Sequence, residues 1–179
     1  MGSTTTLVSV DEYLNTSYEP DMEYVDGVLV EQNVGAPIQS RLQTIVAVFF
    51  EQYRKAHRFN VFVAPRLRVT AGREYRVPDV VVLEGPYRKG KALEDVPAVV
   101  IEIKPPSDTF DDVVVKCFEY EKLGVANNLF MDPDHHQAWL FRQGSLQLLT
   151  GPSIALELPR AQTTIDFPFA HMFAELDED

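Results

Sequence analysis

The chain has a single cysteine, Cys117, among 179 residues, so no internal disulfide can form and a reducing compartment is the expected setting. No stretch approaches the roughly eighteen uninterrupted apolar residues of a membrane span. The opening "MGSTTTLVSV" lacks a basic segment ahead of an apolar core, so no secretory leader is expected, and the protein should be soluble and cytoplasmic. Internal repeats and low-complexity tracts are also missing. Positive charge is scarce: 16 Lys and Arg stand against 27 Asp and Glu, a net charge of -11, which taken alone argues against a polyanionic partner.

That scarcity is uneven. Residues 1–40 carry no Lys or Arg, whereas residues 41–91 hold eleven (Arg41, Arg54, Lys55, Arg58, Arg66, Arg68, Arg73, Arg76, Arg88, Lys89, Lys91) against four acids. One expectation is a basic face on an acidic body; the other is ordinary charge scatter over a solvated surface. With 45 % hydrophobic content, the length suits one domain over residues 1–179 and is short for two.

Local patterns place the elements. Ser9 and Glu12 fit a capping box, which predicts a short helix in "SVDEYLN" with Leu14 pointing inward. "MEYVDGVLVEQ" alternates around Asp26-Gly27 and reads as a hairpin. After Gly35 and Pro37, apolar residues at Ile38, Leu42, Ile45, Val46, Phe49 and Tyr53 predict an amphipathic helix ending near His57. "NVFVAPRLRVT" reads as one strand with an edge or bulge at Pro65, and "RVPDVVVLEG" and "PAVVIEIKPP" as two buried ones. "SDTFDDVVVKCFEYEKLG" predicts a helix capped at Ser107 or Thr109 and stopped by Gly124. "NNLFMDP" is a strand, and "QAWLF", "RQGS" and "LQLLT" make a second hairpin. The sum is an α/β or α+β protein, a mixed β-sheet flanked by helices with an N-terminal and a C-terminal hairpin.

Three charges interrupt this apolar pattern where packing alone would not put them. In "VVIEIKPPSD", Glu102 and Lys104 share one face of a strand, roughly 6 to 7 Å apart along it, and a buried charge is costly unless paired or bound. One strand earlier, Asp79 follows Pro78 within a run of valines. If the strands are neighbours, Asp79 and Glu102 come together, and two adjacent carboxylates repel unless a divalent cation lies between them. Oxygen donors of this kind suit Mg²⁺ or Mn²⁺. A lysine beside them can orient water or stabilise charge developing on a phosphate, which is the chemistry of metal-dependent phosphodiester hydrolysis.

"PD" at Pro78-Asp79 followed by "EIK" at Glu102 to Lys104 resembles the signature of the PD-(D/E)XK nuclease superfamily. The wider pattern resembles the Uma-two family of candidate bacterial restriction endonucleases: "EYVDGVLVE", the helix after it, "YRVPDVVVL", "PAVVIEIKPPSDT", the helical spacing of Asp112, Lys116 and Tyr120, and then "LGV" and "DP" at Asp132-Pro133. These pieces cover about the first three quarters of the chain. The resemblance implies a restriction-endonuclease-like core, a metal held by Asp79, Glu102 and the backbone carbonyl of Ile103, and Glu23 completing the acidic cluster. It also implies DNA as the substrate, with a homodimer favoured where both strands are cut. Lys104 is expected to activate water or stabilise the transition state, with Lys116 and Glu23 assisting, although the resemblance leaves open which of Lys104 and Lys116 is the catalytic lysine. Two departures stand out: Gln39 where the family usually has a histidine, and Asn127 to Leu129 where it usually has "EYW".

Plainer readings remain beside these. Glu102 and Lys104 can form a structural ion pair at a strand end. His135 and His136 lie in a polar turn, Trp139 and the Phe-rich tail suit a core or a dimer surface, and Cys117 suits a small buried position. The function expected is a Mg²⁺-dependent DNA endonuclease; the alternative is a nuclease-like fold used as a binding or assembly module with little or no hydrolysis.

Overall fold

In the computed structural model, which describes residues 7–31, 36–104 and 110–178, Ser9 Oγ accepts the Glu12 N–H at 3.1 Å and starts α1 (Val10–Asn15). The most deeply buried residue of α1 is Tyr13, and Leu14, the expected inward residue, packs partly buried against the same cluster. Tyr13 packs among Tyr18, Tyr24 and Tyr75, and its hydroxyl donates to the Met22 carbonyl at 2.8 Å. A six-residue helix turns a single face to its neighbours, and the ring buries more area there than the leucine could.

The first hairpin forms as the sequence indicates. β1 (Met22–Val25) and β2 (Val28–Glu31) pair through Asp26 at φ 47° and Gly27 at φ 91°, the two positive values that the favoured two-residue turn requires. They join β4 (Leu67–Thr70) and β5 (Glu74–Arg76) in an antiparallel sheet of order β2-β1-β5-β4.

Two stretches expected to be single strands are each divided. "NVFVAPRLRVT" becomes β3 (Phe59–Val63) and β4, separated by Ala64 in a left-handed conformation and Pro65, which has no N–H to offer a ladder. Likewise, Val77, Pro78 and Asp79 separate β5 from β6 (Val80–Glu84). At both breaks the chain crosses between sheets, because β3 and β6 belong to a second sheet of order β10-β9-β8-β7-β6-β3. Its other strands are β7 (Val99–Ile103), β8 (Asn127–Asp132), β9 (Gln137–Arg142) and β10 (Ser145–Leu148). Among the described strands of this sheet, β7 and β8 are the parallel pair, joined through α3 (Phe110–Leu123); the sheet is mixed, as expected. Ser107 and Thr109, the expected caps of α3, lie outside the described residues, and Gly124 ends the helix at φ 97°.

The six-stranded sheet is covered on both faces. Val99, Ile101 and Ile103 of β7 pack with α2 (Pro37–His57), while Val100 packs with Tyr120 of α3. On α2 the buried positions are Gln39, Leu42, Ile45, Val46 and Phe50; Tyr53 is exposed and Phe49 half-buried. The buried line thus advances through Val46 to Phe50, whose ring stacks on Phe167 at 5.5 Å. That partner comes from the tail: β11 (Ile154–Leu158) and β12 (Thr163–Phe167) form a two-stranded sheet, and α4 (Phe169–Ala174) buries Phe169, Met172 and Phe173 against α2. The aromatic tail is core. So are Trp139, which stacks on Phe130, and Cys117, whose thiol is fully buried. Among the described residues no helix is long and apolar enough to cross a membrane.

Candidate active site

The break before β6 and the end of β7 open onto one cleft of about 1120 Å³, roofed by the β1–β2 hairpin and bordered by the first turns of α2 and α3. Asp79, Glu102, Ile103, Glu23 and Lys116 all line it. β6 and β7 pair antiparallel with Val80 opposite Ile101, so continuing the register sets Asp79 opposite Glu102. The Asp79 carboxylate is anchored there: Oδ2 accepts the Ile103 N–H at 2.7 Å, and Oδ1 accepts from Gln43 Nε2 at 3.2 Å. Gln43 also donates to the Asp79 carbonyl at 3.0 Å.

Glu102 is buried, 7 % exposed, on the α3 side of the sheet. Tyr120 donates its hydroxyl to Glu102 Oε1 at 2.6 Å. Burial pushes the Glu102 carboxyl above its ordinary range; Lys116 works against that, and the neighbouring Glu23 charge adds to it. Tyr120 is raised as well, by burial first and then by Glu102, so it stays a phenol and a donor.

Glu23 lines the cleft with Asp79 and Glu102, and its carboxylate is engaged there by two cations. Its Oε1 lies 2.9 Å from Lys116 Nζ and its Oε2 2.8 Å from Arg76 Nη1. Burial alone would raise Glu23, but the two cations outweigh it and hold the carboxyl below its ordinary range. For Lys116, burial disfavours the charge while Glu102 and Glu23 more than compensate, so the ammonium is held above the usual lysine range. Arg76 is in turn held by Glu119 through two bonds of 2.7 Å.

The two lysines part company. Lys104 follows the last residue of β7 and does not line the cleft; its Nζ lies 3.3 Å from Asp132 Oδ2 at the end of β8. Asp132 also accepts from His135 Nδ1 at 3.0 Å and from the backbone N–H groups of Asp134 and His135. His135 is thereby used in the turn, and His136 stacks on Phe173. Among the described residues, no group of three or more His, Cys, Asp or Glu side chains is arranged around a common point. What the cleft offers is a pair of carboxylates on adjacent strands, one of them with its burial only partly compensated. That donor set suits a hard divalent cation, which keeps several waters and uses one or two carboxylates.

A basic face, one of the two expectations for the charge distribution, does not line this cleft. All sixteen Lys and Arg are among the described residues, and only Arg76 and Lys116 line the cleft, both already paired, against seven carboxylates. Arg54 faces Glu51 and Arg68 faces Glu94 away from the cleft, while Arg66 and Arg73 pair with Asp21 and Asp26, two of the carboxylates that line it.

The departures noted in the sequence acquire uses. Gln39 accepts the Ala36 N–H at 2.7 Å and donates to the Lys104 carbonyl, tying the start of α2 to the end of β7 beside the cleft. Asn127 bonds to the Ala98 and Glu157 carbonyls, and Asn128 to the Cys117 carbonyl, so they brace β8 against β11 and α3. Gln43, Arg76 and Glu119 were not singled out in the sequence. Gln43 and Glu119 do show one signal, since Gln43 follows Gln39 by four residues and Glu119 follows Lys116 by three on the same helix faces.

No curated protein matches the chain. Among solved structures, a protein of Anabaena variabilis ATCC 29413 described as "a putative nuclease belonging to DUF820" has the same fold, with a TM-score of 0.77 at 21 % identity over 94 % of this chain and 99 % of that one. A chain of the DrdV–DNA complex aligns at a TM-score of 0.37 and 20 % identity, over 78 % of this chain and 12 % of the other. The family model described as "Putative restriction endonuclease" matches residues 10–166, and the chain therefore belongs to the Uma2 family.

Proposed function

We propose that this protein is a divalent-metal-dependent endonuclease that hydrolyses phosphodiester bonds in DNA, working in the cytoplasm and as a homodimer where both strands are cut. The observation that carries this reading is the meeting of Asp79, Glu102 and Lys116 on one cleft, with Asp79 fixed by the Ile103 N–H at 2.7 Å. Asp79 and Glu102 would hold the cation, Mg²⁺ or Mn²⁺, with the Ile103 carbonyl as a further donor. When bound, the ion supplies Lewis-acid polarisation of the phosphate and a lowered pKa for water.

The chain's own groups do the rest. Tyr120 orients the Glu102 carboxylate through its 2.6 Å bond. Lys116 is held protonated by Glu102 and Glu23, so it acts as a fixed cation beside the developing negative charge on the phosphate rather than as a base. An ammonium has three donors and Glu23 takes one at 2.9 Å. Lys104, turned to Asp132, has a supporting part at the strand end.

Plasmid DNA incubated with the protein should be cleaved in Mg²⁺ or Mn²⁺, and not in EDTA, nor by Asp79→Asn or Glu102→Gln. Cleavage that survives EDTA or both substitutions would refute the reading. The excess of carboxylates in the cleft favours a second reading, a binding or assembly module that keeps the ion without hydrolysis; Mn²⁺ binding with no cleavage of duplex or single-stranded DNA would select it.

A further inference from the structure

Arg76 is nearly buried, 7 % exposed, at the end of β5, and it uses its guanidinium fork in two directions. Nε and Nη2 each lie 2.7 Å from a Glu119 oxygen, and Nη1 lies 2.8 Å from Glu23 Oε2. Tyr24 of β1 pairs with Tyr75 of β5, so Glu23 and Arg76 are cross-strand neighbours. Glu23 then passes the contact to Lys116 Nζ at 2.9 Å. Glu119 and Lys116 both belong to α3, one turn apart. The contacts therefore close a ring, from α3 through Glu119, Arg76 and Glu23 back to Lys116, and this ring ties the four-stranded sheet to the helix across the cleft.

We propose that Arg76, clamped by Glu119, is a positioning residue that sets where the Lys116 ammonium sits. A lysine side chain has four rotatable bonds and a compact charge, so its direction is fixed by its partner and not by itself. Its partner is a carboxylate that could rotate. Arg76 holds the other oxygen of Glu23, and a planar guanidinium gripped at two points by Glu119 cannot turn with it. A lysine at position 76 would supply the charge without the plane and could not keep all three bonds. Glu119 does not line the cleft and reaches the Glu23–Lys116 pair through its two bonds to Arg76.

The kinetic part of the test rests on the nuclease reading, while the spectroscopic part does not. In protein labelled with ¹⁵N-lysine, the Lys116 ammonium should give a distinct resonance, assigned by its loss in Lys116→Met. That resonance should shift or broaden in Arg76→Lys and in Glu119→Gln, as it does in Glu23→Gln. In cleavage assays, Arg76→Lys and Glu119→Gln should each lower kcat by about tenfold to a hundredfold, the scale of a small misplacement of a catalytic group. KM and Mn²⁺ affinity should stay within about twofold, and the double variant should be no slower than Arg76→Lys alone. An unchanged Lys116 resonance in both variants overturns the proposal whatever the cleavage rates. So do kcat values within about twofold of wild type in variants that have only lost thermal stability. If the resonance moves but the wild-type protein cleaves no DNA, the positioning role stands and the nuclease reading fails.

Discussion

Exchanging either lysine for methionine separates their roles, since methionine keeps most of the side-chain length and removes the charge. At position 116, the lost ammonium is the one facing the cleft. Removing one preorganised donor of that kind typically costs 10² to 10³ in kcat, about 3 to 4 kcal/mol of transition-state stabilisation. Breaking a buried ion pair costs about 3 to 5 kcal/mol of stability when the remaining charge is stranded. Here Glu23 would keep Arg76 at 2.8 Å and the Val77 N–H at 3.4 Å, so the lower end applies. For a chain of this length that is a fall in Tm of roughly 6 to 12 °C. At position 104 the expectations reverse. Asp132 would lose a partner at 3.3 Å but retain His135 Nδ1 and two backbone N–H groups, so Lys104→Met should cost about 1 to 2 kcal/mol and change the single-turnover rate by less than about threefold. Single-turnover plasmid nicking with saturating Mn²⁺, alongside thermal melts, measures both quantities. A hundredfold loss in Lys104→Met with a near-normal rate in Lys116→Met would refute the assignment of the two lysines.

Glu102→Gln should abolish Mn²⁺ binding followed by electron paramagnetic resonance, yet change the metal-free Tm little, because it keeps an acceptor for Tyr120 and removes a charge that burial disfavours while Lys116 loses one of its two carboxylates and keeps Glu23 at 2.9 Å; a large fall in Tm would contradict this. Acid stability should depend on Asp132. Burial would raise its carboxyl, but the bonds from His135 and Lys104 hold it below the ordinary range. Its contribution is therefore complete above the unfolded carboxyl pKa of about 3.9 and is lost as pH falls through the lower folded value. Urea titrations from about pH 5 downward should show a shallower acid decline in Asp132→Asn than in wild type, and parallel curves would count against it. DNA binding measured in Ca²⁺ should weaken only gently with added salt, with a log–log slope near -2 or shallower, since Arg76 and Lys116 are the only cations lining the cleft. A slope of about -6 or steeper would place the binding surface elsewhere.

The first three helices, the Asp26-Gly27 turn and the hydrophobic strands of the large sheet were legible in the sequence, because each depends on residues within a turn or a strand of one another; the pairing of "PD" with "EIK" rested on the resemblance, and β11, β12 and α4 of the tail were not read. Alternation along β7 alone was enough to turn Val99, Ile101 and Ile103 away from Glu102. Even at this level the breaks at Ala64-Pro65 and Pro78-Asp79 were read as continuous strands. A proline marks a possible interruption, but whether the chain bends there depends on a second sheet being available to receive it. The choice between Lys104 and Lys116 could not be read at all. Both stand near the cleft in sequence terms, and what divides them is that Asp132 ends the strand beside one and Glu23 crosses from another sheet to the other. The role of Arg76 was hidden for the same reason: its partners Glu119 and Glu23 lie 43 and 53 residues away along the chain. Local propensity acts over a few residues, whereas a buried charge is fixed by whichever opposite charge the folded chain brings to it, and only the tertiary structure decides that.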